Sequence, residues 1–127
     1  MNENGFSIWI PVVFPSRNES ERAARSNKFA GAGLKKKYTE QAALFIGRQV
    51  RRDWVPLTRY SVSFLWVCRD ERQDPDGVMG GMKYVMDGMV AAGLVAGDGW
   101  RNVQKIENRF TVCKSNPGVR INVTFET

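Results

Sequence analysis

The sequence predicts an α+β fold, a single compact domain with a mixed sheet and two main helices in the order β-α-β-α-β-β. Its 127 residues are enough for one domain. Hydrophobic residues make up 43% of the chain and charged residues 25%, which is typical of a globular protein. Stretches of alternating apolar residues are interleaved with stretches of helical spacing, and no internal repeat indicates a second domain. The prediction is therefore one domain over residues 1–127.

A strand and a long helix are predicted on either side of a basic segment. Phe6–Val13 is apolar, and because Pro11 cannot donate to a sheet, an edge or bulged strand is expected. Residues 16–38 are polar, basic and without a sustained period, which predicts a mobile arm with a short helix near residues 19–25. Thr39 is the expected N-cap of the first long helix. Its apolar face comprises Ala42, Ala43, Ile46 and Val50.

The second half of the chain completes the predicted sheet. Leu57–Cys68 has apolar residues on both of its faces, so it is predicted to be a central strand. Met82–Ala92 follows helical spacing, and its methionine stripe is expected in the core or at a subunit interface. The last two strands are predicted at residues 103–114 and 119–125, with a turn at residues 115–118 between them.

The composition excludes several kinds of chemistry and of partner. The chain has no histidine, which excludes Ser-His-Asp hydrolysis, histidine-based metal nucleases and histidine-ligated zinc. Cys68 and Cys113 are too few for a structural zinc site, and we expect two buried free thiols in a reducing compartment. No apolar run approaches the ~18 residues of a membrane helix, and the N-terminus lacks the basic stretch of a signal peptide. We expect a cytoplasmic protein with neither a membrane partner nor a small-molecule substrate.

The net charge of +6 is concentrated in one segment. Residues 16–59 carry eleven basic and four acidic side chains, whereas residues 60–127 carry eight of each. A localised basic surface is the usual sign of a polyanionic partner, and an exposed solubilising face is the alternative. If the partner is DNA, the expected binding residues are Arg17, Asn18, Arg22, Arg25, Lys28, Lys35, Lys36 and Lys37.

Two carboxylates follow the predicted central strand, at Asp74 and Asp76. Because Pro75 favours extended backbone at Asp74, and residues two apart on an extended chain project to the same side, the carboxylates are expected side by side. Like charges so close are tolerated chiefly around a cation, and oxygen ligands suit Mg²⁺ or Mn²⁺. Such a pair beside a phosphate-binding surface is typical of metal-dependent nucleases. The alternative is an ordinary surface turn.

Two further residues are candidates for the same site. Lys83 begins the second predicted helix and could place a positive charge near a phosphate, with an exposed lysine as the alternative. Asp98 lies in a glycine-rich turn, where an aspartate needs no chemical role. Residues 94–98 could reach back about 17 Å if extended. We therefore expect Asp98 either to fold back along the helix or to be donated across a dimer.

Five short segments form an ordered set over almost the whole chain. They are residues 14–18 (FPSRN), 37–39 (KYT), 74–77 (DPDG), 83–89 (KYVMDGM) and 93–98 (GLVAGD). They are similar to the P-P-S-x-N segment, the start of the first long helix, and the D-x-D-N, K-x-x-x-D-x-L and G-x-x-x-D-D motifs of one family. That family is the RusA-type Holliday junction resolvases of bacteria and their prophages. The chain departs from its pattern at Gly77, at Gly97 and by an insertion within residues 78–81.

The resemblance implies a RusA-like, homodimeric endonuclease that requires Mg²⁺, with Mn²⁺ as a substitute, and nicks opposed strands of a four-way DNA junction in recombination or repair. It implies that Asp74, Asp76 and Asp98 are catalytic metal ligands and that Lys83 is the catalytic lysine. A non-catalytic DNA- or RNA-binding module is the alternative. Other metal nucleases fit less well, because the acid-x-Lys pair of restriction-type sites and the first-strand acid of ribonuclease-H-like sites are missing from the predicted strands.

Overall fold

The computed structural model describes residues 3–126 and confirms an α+β domain with a four-stranded mixed sheet. In chain order the elements are β1 (Glu3–Ile10), α1 (Arg17–Ser26), α2 (Lys28–Gln49), β2 (Tyr60–Cys68), α3 (Pro75–Val78), a 3-10 turn (Met79–Gly81), α4 (Met82–Ala91), β3 (Val103–Val112) and β4 (Gly118–Glu126). Three helices have ten residues or more, so the prediction of two main helices is wrong by one. No helix within the described range is long and apolar enough to cross a membrane.

The sheet has the strand order β1-β4-β2-β3. β4 is antiparallel to β1 and to β2, whereas β3 is parallel to β2. This order confirms β1 as an edge strand and β2 as a central strand. β1 ends at Ile10 rather than at Val13, because Pro11 follows it directly and cannot donate to the ladder. β3 forms the other edge, since β4 lies in the middle of the sheet and does not pair with β3.

The hydrophobic core lies between one face of the sheet and the helices α2 and α4. β2 contributes four alternating side chains that are at most 3% exposed, namely Tyr60, Val62, Phe64 and Trp66. Gly88 of α4 lies so close to α2 that a Cβ on it would come within 2.6 Å of the Ala42 Cβ. The methionine stripe is confirmed as core at Met86 and Met89, which are 7% and 0% exposed.

One residue of the β1 edge, Trp9, is capped by a side chain. Gln49, the last residue of α2, accepts a hydrogen bond from the Trp9 N–H through Oε1 at 3.0 Å. Its Nε2 donates to the Trp9 carbonyl at 2.8 Å and to the Phe45 carbonyl at 2.9 Å. The Gln49 amide therefore takes the place of a neighbouring strand at Trp9.

The prediction of a mobile arm over residues 16–38 is wrong, because this segment forms α1 and the first half of α2. Ser16 caps α1 by accepting from the Glu19 N–H at 3.2 Å, and its hydroxyl donates to the Glu19 carboxylate at 3.2 Å. Asn27 separates the two helices and caps α2 by accepting from the Ala30 N–H at 2.7 Å. Thr39 is thus in the interior of α2 and not at its start.

The two cysteines are free thiols, as expected, but only Cys68 is partly buried. Burial, and then the nearby Asp70 carboxylate, raises the pKa of Cys68. Cys113 follows the end of β3 and is exposed, which contradicts the expectation of two buried thiols. Hydrogen bonds from the Ser115 hydroxyl and the Asn116 backbone lower the pKa of Cys113.

Candidate functional site

Asp74 and Asp76 lie just beyond the carboxyl end of β2, at the start of α3. Asp74 has extended backbone (φ −67°, ψ 153°) and occupies the N-cap position, and Pro75 takes the first position of the helix. The Asp74 side chain makes no capping hydrogen bond, although its carbonyl accepts from the Val78 N–H at 3.0 Å. Both carboxylates are exposed. The expectation that the two carboxylates lie side by side on extended chain is wrong in its premise, because Asp76 is the second residue of helix α3 and residues two apart on a helix do not face each other. The Asp74 carboxylate is open to solvent and is not used as a helix cap.

The start of α1 docks against the segment that carries these two aspartates. Arg17 Nη1 lies 3.9 Å from the Asp76 carboxylate. Gly80 permits the close approach, since a Cβ there would come within 2.8 Å of the Arg17 Cα. Gly81 packs in the same way against Phe14 and Trp66. Gly80 and Gly81 thus help to place the start of α1 beside the segment that carries Asp74 and Asp76.

A hydrogen bond to α4 and an aromatic cluster also hold α1 and the loop before it in place. The Ser20 hydroxyl lies 2.5 Å from the Tyr84 hydroxyl of α4. The Phe14 ring is stacked on Tyr84 at a centroid separation of 6.4 Å, and its centroid lies 6.0 Å from that of Tyr38. Ser16, in the segment similar to P-P-S-x-N, is 3% exposed and caps α1. This motif is therefore a structural element that sets the position of the basic helix.

The loop after β2 borders an open cleft of about 650 Å³. This cleft is lined by Asp70, Asp74, Pro75 and the last residues of β3, including Phe110 and Val112. Asp70 was not singled out by spacing, yet it shares this cleft with Asp74. Its carboxylate accepts from the Arg72 N–H at 3.0 Å and pairs with the Arg72 side chain at 3.7 Å. Asp70 therefore adds negative charge to the cleft while holding the loop.

Asp98 lies at the opposite end of β2 from the acid pair. The connection that follows α4 is held beside Leu57, which donates to the Leu94 carbonyl at 3.0 Å and accepts from the Ala96 N–H at 2.7 Å. The Tyr60 hydroxyl then donates to the Gly97 carbonyl at 2.9 Å. Burial, with the nearby Asp98 carboxylate, raises the pKa of Tyr60 to about 12. Since Tyr60 is the first residue of β2, the strand length separates Asp98 from Asp74 by roughly 26 Å.

The three predicted metal ligands are therefore not gathered within one chain. Over residues 3–126, no group of three or more His, Cys, Asp or Glu side chains could hold a metal ion. The fold-back of Asp98 along α4 does not occur, because Leu57 holds the connection at the other end of β2. Gly97 packs closely against this turn, since a Cβ there would come within 2.6 Å of the Asn102 Oδ1.

Lys83 lies at the same end of the sheet as the acid pair, in the first turn of α4. Its side chain is exposed. The preceding Met82 Sδ lies 3.9 Å from Asn108 Nδ2, so this end of α4 is next to β3. Asp87, one turn further along, lies 4.0 Å from Lys35 Nζ. In the segment similar to K-x-x-x-D-x-L, the aspartate links α4 to α2 and the lysine is open to a ligand.

The predicted DNA-binding residues lie on α1 and the first half of α2, and we call them together the basic surface. It comprises Arg17, Asn18, Arg22, Arg25, Lys28, Lys35, Lys36 and Lys37, all of which are exposed. Aromatic rings accompany the charges: Lys28 Nζ lies 5.3 Å from the Phe29 ring centre, and Lys37 Nζ lies 5.2 Å from that of Tyr38. Phe29 is 77% exposed. Cations and exposed rings together suit a nucleic acid.

A second exposed aromatic residue stands next to Asp98. Trp100 is 99% exposed and lies in the turn between Asp98 and β3. A large apolar side chain that packs against nothing in its own chain is available to a partner. The sequence analysis did not identify Trp100, although its position between Gly99 and Arg101 in a glycine-rich turn indicated an exposed side chain.

No protein-family model matches this chain, and no curated protein is significantly similar to it. The family resemblance therefore rests on the five short segments alone.

Proposed function

We propose that this chain is a RusA-like, Mg²⁺-dependent endonuclease that acts as a homodimer on branched DNA, with the four-way junction as its substrate. The observation that carries the proposal is the docking of basic helix α1 against the segment that presents Asp74 and Asp76. In this proposal, carboxylates that would bind a cation and side chains that would bind phosphates are neighbours, as Arg17 and Asp76 are. Metal-assisted cleavage of a phosphodiester needs that combination.

The oxygen atoms of Asp74 and Asp76 fit a hard divalent cation. Both side chains are exposed, and the Asp74 side chain is not used as a helix cap. The Arg17 guanidinium is 3.9 Å from Asp76, at the limit of an ion pair, so a cation could replace it. Mg²⁺ is usually held by one or two carboxylates together with water and substrate phosphates. When bound, it would stabilise charge on the scissile phosphate and make a bound water more acidic.

The remaining residues of the site have supporting roles in this proposal. Asp74 and Asp76 repel DNA phosphates until a cation neutralises them. Arg17 is then free to contact a phosphate oxygen next to the cleavage site. Lys83, at the same end of the sheet, would hold positive charge against the scissile phosphate. The basic surface would bind phosphates that flank the branch and position the strand.

The third carboxylate must come from a second subunit. Asp98 is roughly a strand length away from Asp74 in the same chain. In a homodimer whose subunits run in opposite directions, Asp98 of one chain could complete the site begun by Asp74 and Asp76 of the other. The proposal therefore requires a dimer for cleavage, whereas the monomer would only bind DNA.

A non-catalytic DNA- or RNA-binding module is the second candidate. The separation of Asp98 from the acid pair within one chain favours it. In that case Asp74 and Asp76 only shape the turn at the start of α3, and the basic surface alone carries the function. The two candidates differ in their need for a divalent cation.

The deciding experiment is nicking of a synthetic four-way junction in Mg²⁺, with EDTA as the control. Asp74→Asn should abolish nicking and keep or tighten junction binding, because it removes a negative charge that faces the DNA. Asp53→Asn is the matched control, since Asp53 is an exposed carboxylate paired with Arg51 outside the proposed site. Undiminished nicking by Asp74→Asn would overturn the assignment, and binding without nicking by the unaltered protein would favour the second candidate.

Mixed dimers test whether two subunits share the site. Asp74→Asn and Asp98→Asn chains should each be inactive alone. In a 1:1 mixture, half of the dimers are mixed and each has one intact site, so about one quarter of the unaltered activity should return, as single nicks. A self-contained site predicts no recovery at all.

A further inference from the structure

The second edge of the sheet is open. β3 pairs with β2, and no other strand within residues 3–126 reaches its outer side. The Cys113 N–H donates to the Cys68 carbonyl at 2.9 Å, so odd-numbered residues at this end of β3 turn their backbone groups toward β2. The N–H and C=O groups of the even-numbered residues therefore point outward. They belong to Ile106, Asn108, Phe110 and Val112.

The side chains of this edge are apolar on one face and charged on the other. Ile106, Phe110 and Val112 are 40%, 38% and 47% exposed. They lie on the helix-covered face, because they are in register with Val62, Trp66 and Cys68 of β2. Lys105, Glu107 and Arg109 alternate on the other face. A ten-residue edge with an apolar rim is a template for another strand.

We propose that β3 pairs in antiparallel fashion with β3 of a second copy of this chain, with the twofold axis at Asn108. In this register Ile106 faces the partner's Phe110, and Glu107 faces the partner's Arg109. Symmetry makes each contact twice. Apolar pairs and opposite charges directly across antiparallel strands stabilise the pairing. The charges already influence each other within the chain, since Lys105 and then Arg109 lower the pKa of Glu107.

Neighbouring registers fit less well. An axis at Glu107 would place Glu107 against the partner's Glu107 and Lys105 against the partner's Arg109, so that like charges oppose each other. An axis at Ile106 would leave Phe110 and Val112 beyond the partner's strand. A shift by a single residue would set outward backbone groups against inward ones, and the ladder would not form. Among these, only the Asn108 register combines a nearly full-length ladder with opposite charges.

This pairing deepens the proposed function and, in that respect, rests on it. Asp98 precedes the start of β3, whereas Asp74 shares a cleft with Phe110 and Val112 at its end. Antiparallel pairing therefore brings the partner's Asp98 turn to the end of the sheet where Asp74 and Asp76 lie. The two shared sites would be roughly 30 Å apart, the length of β3.

Charge exchange tests the surface without any measurement of cleavage. Sedimentation should show a dimer of the unaltered chain. Arg109→Glu places acid against acid at two points and should give a folded monomer, as judged by circular dichroism, whereas Arg52→Glu, at an exposed arginine outside β3, should remain dimeric. The double exchange Glu107→Arg with Arg109→Glu should restore the dimer. A monomeric unaltered chain, a dimeric Arg109→Glu variant or a failure of the double exchange would each overturn the proposal.

Cysteine crosslinking tests the register. In a Cys68→Ser, Cys113→Ser background, Glu107→Cys chains mixed with Arg109→Cys chains should crosslink on oxidation, because directly opposed residues of a non-hydrogen-bonded pair are about 4.5 Å apart. Neither variant should crosslink by itself. A crosslink between two Glu107→Cys chains would contradict the Asn108 register. Both readouts are independent of nuclease activity, so a failed interface and a failed endonuclease are distinguishable.

Discussion

The two ends of β2 present carboxylates in different settings. At the carboxyl end, Asp74 and Asp76 stand on a short helical segment that is packed against α1, next to the basic surface. At the other end, Asp98 lies in a turn held by Tyr60, beside the exposed Trp100. One end combines acidic with basic side chains, and the other combines an acidic side chain with an exposed aromatic ring. The chain thus divides the groups expected of a nuclease between two places, and only a second copy could reunite them.

The largest effect is expected from breaking the docking of α1 at the first end. Gly80→Ala would force its Cβ against the Arg17 backbone, which cannot yield as a flexible side chain does. The free energy of unfolding should fall by about 1–3 kcal/mol, and nicking should fall further because α1 moves away from Asp76. Urea denaturation measures the first and junction nicking the second.

Gly33→Ala is the matched control for this substitution. Gly33 is a helical glycine, and a Cβ added to it would have no neighbour within 4 Å, so alanine should raise stability by about 0.5–1 kcal/mol. If Gly80→Ala and Gly33→Ala changed stability and nicking equally, the contact of Gly80 with Arg17 would not be what holds α1 in place.

The next largest effect is expected on stability at alkaline pH, at the end of β2 where Tyr60 lies. The pKa of Tyr60 is raised to about 12 by burial and by Asp98, whereas an unfolded tyrosine titrates near pH 10. The fold therefore favours the neutral phenol, and this stability is present below pH 10 and is lost as the pH rises to 12. About 2 kcal/mol should be lost in that window. Urea unfolding against pH should show a smaller decline for Tyr60→Phe, and an equal decline would contradict the assignment.

A smaller effect is expected at the basic surface. Lys36→Gln with Lys37→Gln removes two exposed charges that would contact phosphates. Junction affinity should fall about tenfold, and the slope of log K against log salt should become shallower by about 2. Lys114→Gln, at an exposed lysine in the turn after β3, should leave the slope unchanged. An unaltered slope in the double variant would mean that the DNA lies elsewhere.

The smallest effect is expected at Trp100. Because this side chain is 99% exposed, Trp100→Ala should leave the melting temperature unchanged. If the ring stacks on an unpaired base near Asp98, junction affinity should fall about fivefold, with little loss for linear duplex. Fluorescence of the tryptophans during junction titration provides an independent check. Equal losses on both DNAs would exclude a role at the branch.

Much of the fold could be predicted from local patterns. The alternation in Leu57–Cys68 and the punctuation by Pro11 identified the central and edge strands, and helical spacing identified α4. The basic segment was misread because its helices are held by caps at Ser16 and Asn27 rather than by an apolar stripe. Gly31 did not break α2, since it packs against Ala24 of α1, where a Cβ would be 3.1 Å from the Ala24 Cα.

The candidate site was predictable only in part. Pro75 correctly predicted extended backbone at Asp74, because that inference depends on neighbouring residues alone. The expectation that Asp76 projects to the same side did not allow for the helix that begins at Pro75. The position of Asp98 depends on Leu57, about forty residues earlier in the chain, which binds both sides of the connection after α4. Chain length gave the reach of that connection but not its direction. The strand order, with β4 between β1 and β2, likewise depends on long-range pairing.

The Gln49 amide on Trp9 has a consequence for assembly size. A sheet with two unpaired edge strands could pair with further copies on both sides and grow into a fibre. The Gln49 amide occupies the outward N–H and C=O of Trp9, so β1 cannot offer another strand an unbroken ladder. If β3 pairs with a second copy as proposed, this interruption favours a closed pair over further growth. Gln49→Ala would leave the Trp9 N–H and C=O unpaired, and in such a dimer it would open β1 to a further copy.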